Sequence, residues 1–324
     1  MQREGKKDPV ELFVVGTARL HPMRVIFHGD DFGLTRGINQ GIIDAFKRGL
    51  LTSASIVTTG EAVEDALRLA REHPGLDLGV HLVLCDERPL LPYEYISSIL
   101  SSNRCFLSRQ QLLFRILTRK INGLEVRAEW SAQIEKVLNE GISLSHLDGH
   151  QYLHLYPGLL HVTLKLAKEY GIPFVRGSIV DRLDLESGTK RLVQWAFLKF
   201  WTVLNVSRLD HVQVRRIPSV GFLKSGGRMT RKYVLETVDL LRRKGAWPVI
   251  EMNFHPGTGD PHTSWKYQHW HYDWKSDLDL LIDESLKNAL LERGVVLSSF
   301  GKENGRAFVG GGKPRVDAAP RCDL

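Results

Sequence analysis

From Ser145 to Pro157 the chain reads Ser-His-Leu-Asp-Gly-His-Gln-Tyr-Leu-His-Leu-Tyr-Pro, which places His146, Asp148, His150 and His154 in one short stretch. Imidazole and carboxylate are the usual protein ligands of a divalent metal, and each is costly to bury unless it is paired or ligating. One such histidine alone is more often a hydrogen-bonded core residue; a cluster points to metal binding or proton transfer. Two further places carry the same chemistry. Asp30 and Asp31 are adjacent carboxylates at the end of an apolar run, and Glu251 is followed closely by His255-Pro-Gly. His81 stands as a single polar group in an apolar run, so it gains weight only from where a fold would put it.

The elements that must position these residues follow from periodicity. Arg24-Val-Ile-Phe-His-Gly-Asp-Asp predicts a strand ending in the two carboxylates, and alternation sends Asp30 and Asp31 to opposite faces, so that one could ligate while the other takes a proton. Ile38 to Arg48 has helical spacing with Gly49 as its stop; Thr52 to Thr58 reads as a strand and Glu61 to Glu72 as a helix. Leu76 to Leu84 is a strand carrying His81. Gly141 to Asp148 alternates, with Ile142, Leu144, His146 and Asp148 on one face, and a turn after it would set His150 and His154 one helical turn apart. Leu159 to Tyr170 is a helix, Pro173 to Arg176 a strand ending in a cation, Lys232 to Lys244 a helix, and Trp247 to Asn253 a strand delivering Glu251. Asp283 to Glu292 and Val295 to Phe300 give the last helix and strand. This β-α repeat predicts an α/β barrel whose strand ends share one rim.

The size fits such a barrel, which takes ~250 residues of the 324 present. One barrel domain is expected over residues 23–300, with insertions near 91–128 and 185–216, an N-terminal extension at 1–22 and a tail at 301–324, both expected to be disordered. Met23 is a candidate start for the ordered part. The formal charge is +7, of which the extension supplies +1 and the tail +2, leaving a core too diffusely basic to argue for nucleic acid. Cys85, Cys105 and Cys322 show no paired spacing, so neither a zinc knot nor a disulfide framework is indicated. The first residues lack the continuous apolar core of a signal peptide, and no run of about 20 apolar residues spans a bilayer, so a cytoplasmic location is expected.

Both insertions have surface character. Gln110 to Lys120 is basic and amphipathic, and Leu192 to Leu204 is apolar nearly all round with bases beside it, which suits core packing, a homodimer or contact with lipid. Trp265, Tyr267, Trp270, Tyr272 and Trp274 fall in one loop; they could stack on sugar faces or pack on one another.

Asp30-Asp-Phe-Gly-Leu-Thr, Gly37-Ile-Asn-Gln-Gly-Ile, Gly79-Val-His-Leu, His146-Leu-Asp-Gly-His-Gln and His255-Pro-Gly occur in an order that resembles the YdjC-like carbohydrate deacetylases. That family includes deacetylases of chitooligosaccharides and of sugar-bearing hopanoids. The resemblance implies an irregular, polysaccharide-deacetylase-like barrel of parallel strands, one divalent metal, magnesium or zinc by preference, and hydrolysis of an N-acetyl group on an oligosaccharide or a lipid-linked glycoside. It implies Asp31, His81 and His150 as metal ligands, Asp30 as general base and His255 as the donor to the departing amine. Asp148 and Arg176 are candidates to orient His255 or Asp30, while His154, Glu251 and Trp270 are candidates to support or contact the substrate. Tyr152 stands where the family often has a further histidine, and Gly29 where it often has alanine. Two other readings fit the same residues: another metal hydrolase such as a phosphoesterase, and a carbohydrate-binding protein without activity. Three strong ligands speak against the two metals a phosphoesterase would use.

Overall fold

The structure is a computed structural model that describes residues 22–305, apart from 210–213 and 246. All of the extension expected at 1–22 except Pro22, and most of the tail, lie outside the described residues. Residues 301–305 are described, and the last helix begins at Phe300, so the ordered chain runs past the predicted boundary.

In chain order the elements are β1 (Met23–Phe32), α1 (Arg36–Arg48), β2 (Ser53–Ile56), α2 (Val63–Glu72), β3 (Asp77–Leu82), α3 (Tyr93–Ile96), α4 (Arg109–Leu117), α5 (Gly123–Leu138), β4 (His146–Gly149), α6 (Leu159–Glu169) and β5 (Phe174–Ile179). Then come α7 (Thr189–Leu209), β6 (Arg215–Val220), α8 (Arg231–Lys244), β7 (Val249–Phe254), α9 (Pro261–Lys266), α10 (Trp274–Leu281), α11 (Glu284–Glu292), β8 (Val295–Leu297) and α12 (Phe300–Glu303). The strands lie in the order β2-β3-β4-β5-β6-β7-β1, all neighbours parallel, and β1 pairs with β2 to close the ring. The eighth strand, β8, pairs with β1 only at Met23 to Val25, below the point where β2 takes over. This is the irregular parallel (β/α) barrel expected from the repeat.

Alternation sorts the strand residues into two cores. Odd positions of β1, such as Val25 and Phe27, join Val80, Ile38, Ile42, Trp130 and Ile134 in the large apolar layer between barrel and helices. Facing inward, Ile26, Phe174, Ile217 and Phe300 form a small separate apolar plug. Above the plug the interior is polar: His28, Ser55, His81, His146, Asp148, Arg176, Ser219 and Glu251 are all almost fully buried. His146 lies flat on Phe300, with ring centroids 4.0 Å apart. Gly79 makes the room, because a Cβ there would collide with the His146 ring.

Several expected boundaries move. The strand predicted from Gly141 pairs only from His146, although Ile142 and Leu144 are buried as expected. The insertion read as ending at Arg216 contains the start of β6, whose Arg-Arg-Ile-Pro-Ser-Val sequence hides a strand behind two bases and a proline. In the other insertion, α5 starts already at Gly123, capped by the Asn122 side chain.

Candidate metal centre and proton-transfer site

Each strand of the closed ring delivers polar groups to its interior or carboxyl rim. β1 does so with a local departure from regular geometry. Between Gly29 and Phe32 its register against β2 slips, and Asp31 takes a left-handed φ of 71°. The strict alternation expected for the aspartate pair therefore fails, and both carboxylates reach the same site. They face different partners there.

Asp31, from β1, meets His81 from β3 and His150 just past β4. Its Oδ1 lies 3.4 Å from His81 Nε2 and 3.3 Å from His150 Nδ1, yet makes no aligned hydrogen bond, and all three residues are buried. One ligand atom from each lies within 4.8 Å of the others. Three donor groups converging at this spacing fit a divalent cation, and one carboxylate with two imidazoles leaves further coordination positions open. Burial disfavours a proton on His150, yet Asp31 and Asp86 raise it to about 10, so a cation would bind there in exchange for that proton. The His81 ring is fixed from behind: its Nδ1 is 2.8 Å from Asp148 Oδ1, and Ser55 Oγ donates to Asp148 Oδ2 at 2.9 Å. Such a carboxylate sets the ring tautomer and leaves Nε2 free to ligate.

Asp30 sits one step away in a different electrostatic setting. Arg176, on β5, grips it with Nη1 and Nη2 at 3.0 and 2.6 Å, and also reaches Asp148 at 2.7 Å and Glu251 at 2.6 and 2.8 Å. Burial works against a charge on Asp30, but Arg176 and then His28 outweigh it and hold the carboxyl well below the usual range. For Glu251 burial prevails over Arg176, and its carboxyl is pushed up. His28 lies 3.3 Å from Asp30 and 3.2 Å from Asp148; burial disfavours its cation, yet those two partners raise it to about 9.

His255 follows β7 and stands 3.7 Å from Asp30 through Nε2. Burial pushes it down, against the pull of Asp30 and Asp31. Its backbone N–H donates to Asp277 of α10 at 2.9 Å, and its Nδ1 lies 3.9 Å from the same carboxylate. Burial lifts Asp277 to about 7. The loop bearing His255 is clamped by α1, where Gly41 lets the helix backbone touch Gly257; any Cβ at Gly41 would strike it.

The remaining expected residues divide. Asp148, Arg176 and Glu251 lie beneath the cleft as one buried network, and only Asp30, His81, His150 and His255 of the predicted set line the cleft itself. His154 is not one helical turn from His150 on a common face, because Gln151 and Tyr152 adopt left-handed φ of 54° and 57° and break the turn. It lies behind the strand ends instead, with Nε2 3.4 Å from the Arg176 carbonyl, and burial followed by Arg176 lowers it to about 3. Trp270 packs on His150 with centroids 5.0 Å apart and stacks on Tyr267 at 4.3 Å. The aromatic loop is thus largely packed on itself, with Tyr267 and Trp274 buried, while Tyr272 opens onto the cleft.

Sequence reading passed over His28, Ser55, Asp86 and Asp277. Alternation could have found His28, two residues before Asp30 on the same inward face. Asp86, 3.4 Å from His150 Nε2, directly follows the β3 loop, whereas nothing local marks Asp277 within an ordinary amphipathic helix. Arg109 of α4 and Arg191 of α7 also reach the cleft, so both insertions contribute to its wall.

A parallel α/β barrel with a candidate metal centre, a carboxylate and a histidine gathered at its carboxyl rim is the architecture of a barrel enzyme site. Residues 24–292 match the family described as YdjC-like protein, and the chain belongs to that family. It is 35% identical over 151 residues to a carbohydrate deacetylase of Brevibacillus brevis, an alignment covering 47% of this chain and 58% of that protein. A carbohydrate deacetylase of Oceanobacillus iheyensis is 38% identical over 151 residues, covering 47% and 64%. The chain thus aligns with less than two thirds of the length of these relatives. A crystal structure from Enterococcus faecalis, provisionally described as a cellobiose-phosphate cleavage protein, superposes with a TM-score of 0.67 at 26% identity, covering 87% of this chain and 99% of that one.

Proposed function

We propose that the protein hydrolyses the N-acetyl group of an acetamido sugar, with one divalent cation held by Asp31, His81 and His150. The observation that carries this reading is the convergence of those three donors beside a separate carboxylate, Asp30, and a separate histidine, His255. The relatives named carbohydrate deacetylases support the substrate class. When bound, the cation would lower the pKa of a water and polarise the amide carbonyl. A shell with two imidazoles suits zinc, and magnesium is the second candidate.

The chain's own groups handle the protons. Asp30, kept ionised by Arg176, accepts the proton of the attacking water as the C–O bond forms. The same guanidinium makes Asp30 a weak base that releases its proton readily. His255 Nε2, 3.7 Å away, is placed to receive it and to deliver it to the amide nitrogen as the C–N bond breaks. Acetate and a free amino sugar leave. Asp277, on the far side of the imidazole, supports its charged form whenever it is itself ionised.

The test is acetate release from soluble and lipid-linked N-acetylglucosaminyl substrates by metal-reconstituted protein, beside Asp30→Asn and His81→Ala. Metal-dependent release that is lost in both variants is the expected result. No release from any substrate, with metal shown to be bound, would overturn the reading in favour of another metal hydrolase.

A further inference from the structure

We propose that the outer face of α7 docks the protein on an anionic lipid surface. The inner face of this helix is spent on the fold: Leu198 and Thr202 are buried, and Leu192, Trp195 and Phe197 pack against the core. The outer face carries Val193, Ala196, Phe200, Val203 and Leu204, a stripe at helical spacing. Val193, Phe200, Val203 and Leu204 are 64%, 65%, 62% and 52% exposed, which is far from the polar face a helix normally turns to water.

The charge around the stripe selects the occupant. The α7 sequence holds Lys190, Arg191, Lys199 and Arg208 and no acidic residue. Beside it runs a groove of ≈ 720 Å³ with Trp195 and Trp247 in its wall and Lys199, Arg216 and Lys244 as its bases, while Arg182 is paired with Glu236 and Asp181 is buried at its floor. An apolar stripe flanked by bases and tryptophans is the pattern of a helix lying in a membrane interface, where the apolar side chains enter the acyl boundary and the bases meet anionic headgroups. A second copy of the chain fits less well, since a symmetric contact through this stripe would bring together two helices that each carry bases and no acidic residue to pair them. The two chain ends outside the described residues are themselves net basic, so charge gives them no reason to cover it. No described helix is long and apolar enough to cross a bilayer, so the contact is peripheral.

The same helix lends Arg191 and Gln194 to the wall of the candidate active-site cleft. Docking through the outer face therefore leaves this wall of the cleft about one helix diameter, ~10 Å, from the headgroup layer, and the substrate class this favours is a sugar carried on a lipid anchor. That consequence rests on the deacetylase reading, whereas the docking surface does not.

The experiment is flotation of the full-length protein with vesicles of phosphatidylcholine alone and of phosphatidylcholine mixed with phosphatidylglycerol. The protein is expected to float with the anionic vesicles only, to be released by high salt, and to lose flotation several-fold in Phe200→Asp/Val203→Asp with its melting temperature unchanged. Should that pair fail to fold, Lys190→Glu/Lys199→Glu reads the same surface and is expected to abolish flotation. Equal recovery with both vesicle types, recovery with neither, or flotation unaltered by the substitutions would overturn the proposal. So would a dimer in solution that Phe200→Asp/Val203→Asp dissolves. Because the readout is vesicle binding, it can fail while the deacetylase reading stands.

Discussion

Two buried clusters of ionisable groups lie side by side at the barrel rim, and both are geometrically able to hold a metal. One comprises Asp31, His81 and His150; the other comprises His28, Asp30, Asp148 and Glu251. The second already contains its cation, because Arg176 makes close contacts with all three of its carboxylates. The first holds no arginine or lysine: its source of positive charge is the exchangeable proton on His150, which burial disfavours and Asp31 and Asp86 favour, and Asp31 Oδ1 has no aligned hydrogen bond. Burial alone therefore does not mark a metal site; a demand for positive charge that no fixed cation meets does. The chain has divided the labour by placing one arginine. Arg176 occupies the deeper cluster and keeps Asp30 ionised; on the proposed reading Asp30 then serves proton transfer and the outer cluster takes a cation from solution.

This contrast can be broken from either side. The largest effect is expected for Arg176→Met, which leaves buried carboxylates without a counterion: stability should fall by ~3–5 kcal/mol in denaturant titration, and a metal bound to Asp30 and Asp148 would then become detectable. Next is Asp30→Asn, which should lower kcat about 10²- to 10⁴-fold while metal affinity stays near the wild-type value. Asp148→Asn probes the seam between the clusters, since Asp148 accepts from both Arg176 and His81. Metal affinity by calorimetry should weaken about 10- to 100-fold as His81 loses its orienting partner. The smallest effect is expected for Asp277→Asn, with kcat down about tenfold. Its pH dependence is the sharper readout. Asp277 is neutral below about 7 and charged above it, so wild-type kcat should rise through that pH as the carboxylate begins to support the His255 cation. The asparagine variant, neutral throughout, should stay at the low-pH level and lose that limb.

Much of this arrangement is legible in the chain. Placement of Asp30, His81 and Asp148 near strand ends follows from short apolar runs that stop at polar residues, because a parallel barrel needs that pattern. Arg176, expected to end its strand, instead lies inside β5, which runs on to Ile179, and Glu251 lies inside β7. The ordered motifs then point to the family that residues 24–292 match. What escapes the sequence is long-range or conformational. The partnership of Ser55 with His81 and Asp148 joins three neighbouring strands, β2, β3 and β4, from distant parts of the chain, and Asp277 reaches His255 from a separate helix. The left-handed backbone at Asp31, Gln151 and Tyr152 has no glycine to announce it, yet it brings Asp31 into the candidate metal cluster and turns His154 away. β6 hides for a simpler reason: Arg215, Arg216 and Pro218 contradict strand propensity and are outvoted by pairing with β5 and β7.

The most direct test is the metal content of the reconstituted protein, measured by elemental analysis after dialysis for the wild type, His81→Ala and Asp30→Asn. The account predicts one equivalent in the wild type, one in Asp30→Asn and none in His81→Ala. Two equivalents in the wild type, or metal retained by His81→Ala and lost by Asp30→Asn, would show that Arg176 does not reserve the deeper cluster and would contradict it.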